Sequence, residues 1–151
     1  MRGGRRFFLL GALVLVVGCG DSGTGPQEAE DVSFAASLGI DLAKMTRLPS
    51  GVYVQTFTVG TGTATVTASS RITADYKGSL ANGNVFDAGR LTSLAVLNFI
   101  PGFTEGLIGM KKGEKRKIVI PSRLAYGDTP PAAIPKNAVL VFEVTLVEIT
   151  G

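Results

Sequence analysis

The sequence contains no histidine, no tryptophan and one cysteine among its 151 residues. Without histidine there is no histidine-based catalytic triad and no Cys-His pair. A single cysteine cannot build the usual zinc site or a disulfide within the chain. Most familiar hydrolytic and metal chemistry is thereby excluded, and we expect a function that needs no metal ion and no other cofactor.

An excess of acidic or basic residues is also missing from most of the chain. The formal net charge is +3, from 15 Lys and Arg against 12 Asp and Glu. Arg2, Arg5 and Arg6 account for this excess, and the first acidic residue is Asp21. The remainder is near neutral, so we expect no nucleic-acid partner.

Residues 1–18 have the organisation of an export signal. A basic start precedes the apolar run from Phe7 to Val17, which is shorter than the roughly 20 apolar residues that span a membrane. The residues from Val16 to Cys19 resemble the bacterial lipobox, in which cleavage before the cysteine exposes it for lipid attachment. We therefore predict a lipoprotein signal peptide over 1–18. The alternative is an ordinary secretory signal, in which Cys19 is incidental.

Lipidation of Cys19 would place the protein at a membrane. We expect an exported protein, anchored through its lipid to a bacterial membrane and facing the periplasm, or at the cell surface. Gly20 follows the cysteine, and by resemblance to known sorting signals this favours the outer membrane.

Residues 19–49 read as a linker that follows the lipidated cysteine. The stretch 20–31 is rich in Gly, Ser, Pro and acidic residues and has no apolar periodicity, which is typical of a flexible segment. Phe34, Leu38 and Leu42 then recur at a helical spacing that Gly39 interrupts. This second part is either a short helix or a segment packed on the domain, or it is a pure spacer.

From residue 50 to residue 151 the pattern is that of a β-rich domain. Strands are predicted over 51–60, 71–78 and 115–120, with a turn over 81–84. The last strand, over 138–149, places Leu140, Phe142, Val144 and Leu146 on one face. One short helix is predicted near 103–110. These elements predict an α+β fold in which a helix packs on one face of an antiparallel sheet.

A basic run occupies residues 111–117, interrupted only by Gly113 and Glu114. We interpret it as a solvated turn followed by a strand at the sheet edge, where charge discourages pairing with other chains. An anionic membrane surface is the alternative partner for these lysines.

Six sequence blocks follow one another along the domain: ADYKG at 74–78, GNVFD at 83–87, IPGFTEGL at 100–107, MKKGE at 110–114, IPSRLAYG at 120–127 and VLVFEV at 139–144. This succession resembles the FKBP-type peptidyl-prolyl cis-trans isomerase family. The resemblance covers about residues 50–150 and implies a twisted antiparallel β-sheet wrapped around one short α-helix, with an apolar cavity between them.

The resemblance also implies site residues. Those matched to catalytic positions are Phe86, Asp87 and Tyr126, and those matched to substrate-binding positions are Tyr76, Phe99, Ile100, Phe103, Ile134 and Phe142. On pattern alone, Phe86, Phe142 and Ile134 would be ordinary core residues. An acid after Phe86 would also be an ordinary turn residue or a partner for Arg90.

Three departures from the family pattern bear on function. Phe103 occupies a position where tryptophan is usual, and Phe99 is larger than the valine that is common there. The stretch 91–97 has no aromatic residue, with Thr92 and Leu94 as the nearest counterparts.

The predicted function is peptidyl-prolyl isomerisation (EC 5.2.1.8) that assists the folding of exported proteins. The expected partners are proline-containing unfolded or partly folded polypeptides, and the resemblance also implies binding of the family's macrolide inhibitors. We expect a monomer. One alternative is a chaperone module that binds prolyl segments and catalyses weakly, because Phe99, Phe103 and the missing aromatic residue alter the cleft. Another is a surface-tethered structural β domain without a cleft, which would bind no prolyl ligand.

Overall fold

The structure is a computed structural model that describes residues 25–151. The predicted signal peptide and Cys19 lie outside this range. Within it there are six strands, one α-helix, α1 at Pro101–Leu107, and five short 3-10 turns. The strands are β1 at Thr46–Arg47, β2 at Tyr53–Thr58, β3 at Arg71–Leu80, β4 at Val85–Ala95, β5 at Lys115–Ile120 and β6 at Leu140–Thr150.

All six strands form one antiparallel sheet in the order β1-β2-β5-β6-β3-β4. The predicted turn at 81–84 joins β3 to β4 as a hairpin, and Gly83 adopts a φ of 91° there. Helix α1 packs against the sheet, so the α+β prediction is confirmed. None of the helices described in residues 25–151 is long and apolar enough to cross a membrane.

Helix α1 begins with Pro101 at its first position, where the missing N–H costs no helical hydrogen bond. It packs unusually close to β5 because two glycines face the strand. A Cβ atom on Gly102 would lie 2.2 Å from Cγ2 of Ile120, and one on Gly106 would lie 2.5 Å from Cγ2 of Ile118. The close packing fixes the helix, and with it the side chains that α1 presents to the neighbouring cavity.

The main core lies between α1 and the sheet. The alternation predicted for the last strand is confirmed, because Leu140, Phe142, Val144 and Leu146 are all buried on this side. Leu107 of the helix is completely buried against them. Transfer of such side chains from water stabilises the fold by about 1.5–3 kcal/mol each.

The opposite face of the sheet is covered by residues 27–45, which we call the N-terminal strap. It contains three 3-10 turns, at Ala29–Asp31, Ala36–Leu38 and Leu42–Lys44. Leu38 and Met45 are buried in a second cluster with Val119 and Val141 of the sheet. Of the alternatives for the part that contains Phe34, Leu38 and Leu42, the structure shows the one packed on the domain, because the sheet's second face is also apolar. The flexible stretch predicted over 20–31 is wrong for its last residues, since Gln27 is hydrogen-bonded to Ser122 and Ala29 is completely buried.

The basic run does not lie at a sheet edge, so that prediction is wrong. Strand β5 pairs with β2 on one side and β6 on the other. Lys117 is 7% exposed, donates a hydrogen bond to the carbonyl of Leu38 and lies 3.4 Å from Glu143. The Arg116 guanidinium lies 2.7 Å from the buried Glu114 carboxylate. The three basic residues at the start of β5, KRK at 115–117, thus include cations that are paired within the protein.

Candidate functional site

A cavity of about 290 Å³ opens between α1, the sheet and the loop that precedes β6. Its walls are mainly apolar and aromatic, with a few polar groups, which is the usual character of a small-molecule or peptide site. The lining residues are Tyr76, Phe86, Asp87, Leu91, Asn98, Phe99, Ile100, Phe103, Tyr126 and Phe142.

Four phenylalanines form a continuous aromatic surface in this cavity. The Phe103 ring centroid lies 4.7 Å from that of Phe142 and 5.2 Å from that of Phe99. Phe86 meets Phe142 edge to face at 5.7 Å. Edge-to-face and tilted contacts of this kind fix ring orientation beyond simple burial. The cavity wall is therefore held in shape without a bound molecule.

Gly78 on β3 makes the approach of two of these rings possible. A Cβ atom there would lie 2.6 Å from Cζ of Phe86 and 2.9 Å from Cε1 of Phe142. Any side chain at this position would push the two aromatic rings into the cavity.

Asp87 and Tyr76 form a hydrogen-bonded pair in the cavity. The Tyr76 hydroxyl donates to Oδ2 of Asp87 over 2.6 Å. The strands place them together because Tyr76 pairs with Gly89, and Asp87 with Gly78, in the β3–β4 register. Arg90 binds Asp75 instead, at 2.6 and 2.7 Å. Asp87 is therefore not the partner of Arg90, and its carboxylate faces the cavity.

The hydrogen bond to Asp87, together with burial and the negative charge of the carboxylate, raises the pKa of Tyr76 to about 12. An ordinary tyrosine has a pKa near 10. The hydroxyl thus remains protonated, and able to donate, throughout the neutral and mildly alkaline range.

This pKa predicts a pH dependence of stability. The neutral form of Tyr76 is favoured in the folded state, so its contribution to stability is fully present below about pH 10. The contribution is lost as pH rises from about 10 through 12, because the unfolded chain ionises first. Urea unfolding midpoints at pH 9 and pH 11.5 should fall less with pH in Tyr76→Phe than in wild type. Equal falls in the two proteins would contradict the assignment.

Tyr126 reaches the cavity from the loop after the 3-10 turn Ser122–Leu124. The loop closes on itself through the N–H of Gly127, which donates to the carbonyl of Ser122 over 3.0 Å. Tyr126 is 37% exposed, so its ring stands at the cavity mouth rather than in the core.

Eight of the nine predicted cleft residues line the cavity, and Ile134 does not. Ile134 is 7% exposed and belongs to the main core. Two lining residues, Leu91 and Asn98, were not predicted. Leu91 lies on the same side of β4 as Asp87, because the two are four residues apart and the β3–β4 register is unbroken between them. Alternation counted from Asp87 is the signal that could have found it.

The comparisons with known proteins agree with this geometry. A family model described as FKBP-type peptidyl-prolyl cis-trans isomerase matches residues 62–147. The match covers more than half of the chain and includes every strand from β3 to the greater part of β6. The chain belongs to the FKBP-type peptidyl-prolyl cis-trans isomerase family.

Curated relatives share substantial identity over the same region. FkpA from Buchnera aphidicola subsp. Schizaphis graminum is 35% identical over 113 residues, 72% of this chain and 45% of the relative. FkpA from Escherichia coli K12 is 40% identical over 104 residues, 66% of this chain and 38% of the relative. The chain thus spans less than half the length of these curated relatives.

Solved structures show the same fold. The crystal structure of FkpA from Escherichia coli matches with a TM-score of 0.66 and 38% identity, covering 71% of this chain and 52% of that one. A peptidyl-prolyl cis-trans isomerase from Pseudomonas syringae matches with a TM-score of 0.66 and 29% identity, covering 77% of this chain and 87% of that one.

Proposed function

We propose that this protein catalyses cis-trans isomerisation of X-Pro peptide bonds in partly folded polypeptides. The observation that carries the proposal is the aromatic cavity with the Tyr76–Asp87 pair in its wall. Family membership supports it independently. Uncatalysed isomerisation takes tens to hundreds of seconds, so a catalyst would matter wherever chains fold slowly at proline.

The reaction needs no nucleophile. The barrier of about 18–20 kcal/mol comes from amide resonance, which is lost when the bond twists. The planar amide has a strongly polar carbonyl that water stabilises, whereas the twisted amide is less polar at oxygen. Removing water from the amide therefore costs the planar form more than the twisted form. A cavity walled by four phenylalanines favours the transition state on this basis.

Asp87 extends the same discrimination. A carboxylate only accepts hydrogen bonds, so it offers none to the carbonyl oxygen of the planar amide. Tyr76 holds the carboxylate in place through its hydroxyl, at 2.6 Å. The hydroxyl of Tyr126 at the cavity mouth is in position to donate to a carbonyl that flanks the proline, which would hold the peptide while the bond rotates.

The test is a proline-limited refolding assay with catalytic amounts of the full chain, run beside an assay with a short prolyl peptide. Acceleration in either assay supports the proposal. A protein that is folded by circular dichroism and accelerates neither reaction would refute it.

A second candidate is a chaperone module that binds prolyl segments and turns over poorly. Two features of the cleft favour it. Phe103 packs between Phe99 and Phe142. The stretch 91–97, which has no aromatic residue, contributes Leu91 to the cavity wall. Suppression of aggregation of an unfolded client, without acceleration of its refolding, would support this candidate over the enzyme.

Replacing Phe103 with tryptophan should separate these two functions. The larger ring adds apolar contact area, and at about 25 cal/mol per Å² this should tighten peptide binding about fivefold. It also introduces the only tryptophan of the chain, so its fluorescence reports binding directly. An enzyme should gain kcat/KM together with affinity. A gain in affinity with no turnover in either protein would support the chaperone, and unchanged affinity would contradict the expected contact.

We also propose that the protein is exported and anchored by lipid on Cys19, with the cleft facing the periplasm or the cell exterior. The support is the basic and apolar organisation of residues 1–18 and the lipobox-like sequence before the cysteine. Several acyl chains give stable attachment, at about 0.8 kcal/mol per buried methylene. The protein should enter the detergent phase in Triton X-114 extraction, and Cys19→Ser should move it to the aqueous phase. Wild-type protein in the aqueous phase would refute the anchor.

A further inference from the structure

The N-terminal strap contacts the segment of chain that carries Tyr126, although it lies outside the residues that the family model matches. We propose that the strap positions Tyr126 for catalysis by holding Ser122 and Arg123. Gln27 and Glu28 are then positioning residues for the cleft, which they do not touch. The proposal rests on the proposed isomerase function, and its closing experiment separates the failure of one from the failure of the other.

Ser122 is the point where the strap and the Tyr126 loop meet. Its side chain is completely buried, and its Oγ accepts a hydrogen bond of 2.7 Å from the N–H of Gln27. Its own N–H donates to the carbonyl of Gln27 over 2.9 Å. Its carbonyl accepts from the N–H groups of Ala125 and Gly127, at 3.1 and 3.0 Å. These last two residues flank Tyr126, so one residue joins the strap to both sides of the tyrosine.

An ion pair reinforces this junction one residue further along each segment. The guanidinium of Arg123 makes a two-point contact with the Glu28 carboxylate, at 2.7 and 3.2 Å. Arg123 also donates to the carbonyl of Ser50, in the turn before β2. Bidentate arginine–carboxylate pairs fix geometry as well as adding attraction. Glu28 and Ser50 thus hold Arg123 from two directions.

Tyr126 needs such support because it lies on a loop and is more than one-third exposed. A side chain at a cavity mouth has little packing to fix it, and small displacements of a positioning group reduce catalysis strongly. The strap supplies the missing constraint from the far side of the loop. Its energetic effect should therefore appear in kcat/KM through Tyr126, and only weakly in overall stability.

A double-mutant cycle tests this coupling in the full chain. Glu28→Ala and Ser122→Ala should each lower kcat/KM about three- to tenfold, the scale of one lost hydrogen bond. In a Tyr126→Phe background, the same changes should produce almost no further loss. Glu28→Gln keeps one acceptor and should recover part of the activity. Equal losses in both backgrounds would overturn the proposal.

Glu30→Gln is the matched control. Glu30 is another strap carboxylate, which binds Arg47 at 3.0 Å and the Tyr53 hydroxyl at 2.7 Å, and it has no hydrogen bond to the Tyr126 loop. Its replacement should leave kcat/KM unchanged. A loss as large as that of Glu28→Ala would mean that the strap acts through general stability, and the proposal would fail.

The ring of Tyr126 gives a readout that does not depend on activity. The chain has three tyrosines, so 13C-labelled tyrosine rings give a simple spectrum. Glu28→Ala should shift or broaden the Tyr126 resonances and leave those of Tyr76 unchanged. Unaltered Tyr126 resonances would overturn the proposal. Altered resonances in a protein without isomerase activity would retain the positioning and reject the proposed function.

Discussion

Asp87→Asn is expected to lower kcat/KM by about ten- to hundredfold, the scale of a lost interaction with a charged group. The amide of asparagine has almost the shape of the carboxylate and can still accept from the Tyr76 hydroxyl. It adds an N–H donor, however, which can stabilise the carbonyl oxygen of the planar substrate. The ground state should gain more than the twisted transition state, so the barrier should rise. The measurement is kcat/KM in a protease-free prolyl peptide assay.

Two further variants separate charge from position at this site. Tyr76→Phe keeps the carboxylate but removes its 2.6 Å hydrogen bond, and should cost less than Asp87→Asn. Asp75→Asn is the matched control, because Asp75 lies on β3 and binds Arg90 outside the cavity. It should retain full activity. If Asp87→Asn were as active as Asp75→Asn, the carboxylate would have no part in catalysis.

The side-chain alternation of the last strand was predictable, because one face of β6 packs in the main core. In β6 the four large apolar residues at every second position are all buried on that side. The cleft was predictable only through the resemblance. Phe86 and Phe142 are typical core residues by pattern. They can line a cavity wall only because Gly78 on β3 has no side chain that would collide with their rings.

The interpretation of the basic run was wrong because the partners of its cations cannot be recognised from the sequence. A run of basic residues is typical of a solvated strand at a sheet edge, yet Lys117 is buried beneath the N-terminal strap. Its partners, the Leu38 carbonyl and Glu143, come from distant parts of the chain. Pairing of this kind depends on tertiary structure.

Gly106→Ala should destabilise the fold by about 1–3 kcal/mol, although alanine is the better helix former. An added Cβ would meet three atoms of the buried Ile118 side chain, at 2.5, 2.7 and 2.9 Å. The helix-propensity gain of about 1 kcal/mol is smaller than the cost of this overlap when neither backbone can move. Because α1 also carries Phe103, the displaced helix should weaken peptide binding. Urea unfolding and peptide affinity measure the two effects.

Ile118→Ala provides the decisive comparison for this contact. Alone, it should destabilise the fold by about 2–5 kcal/mol, because it leaves a cavity under the helix. Combined with Gly106→Ala, it removes the atoms with which the new Cβ collides, so the double variant should be more stable than the sum of the two single changes predicts. Glu105→Ala controls for helix propensity on the same helix and should change the unfolding midpoint little. Strict additivity of Gly106→Ala and Ile118→Ala would show that the close approach of α1 to β5 does not determine the cost.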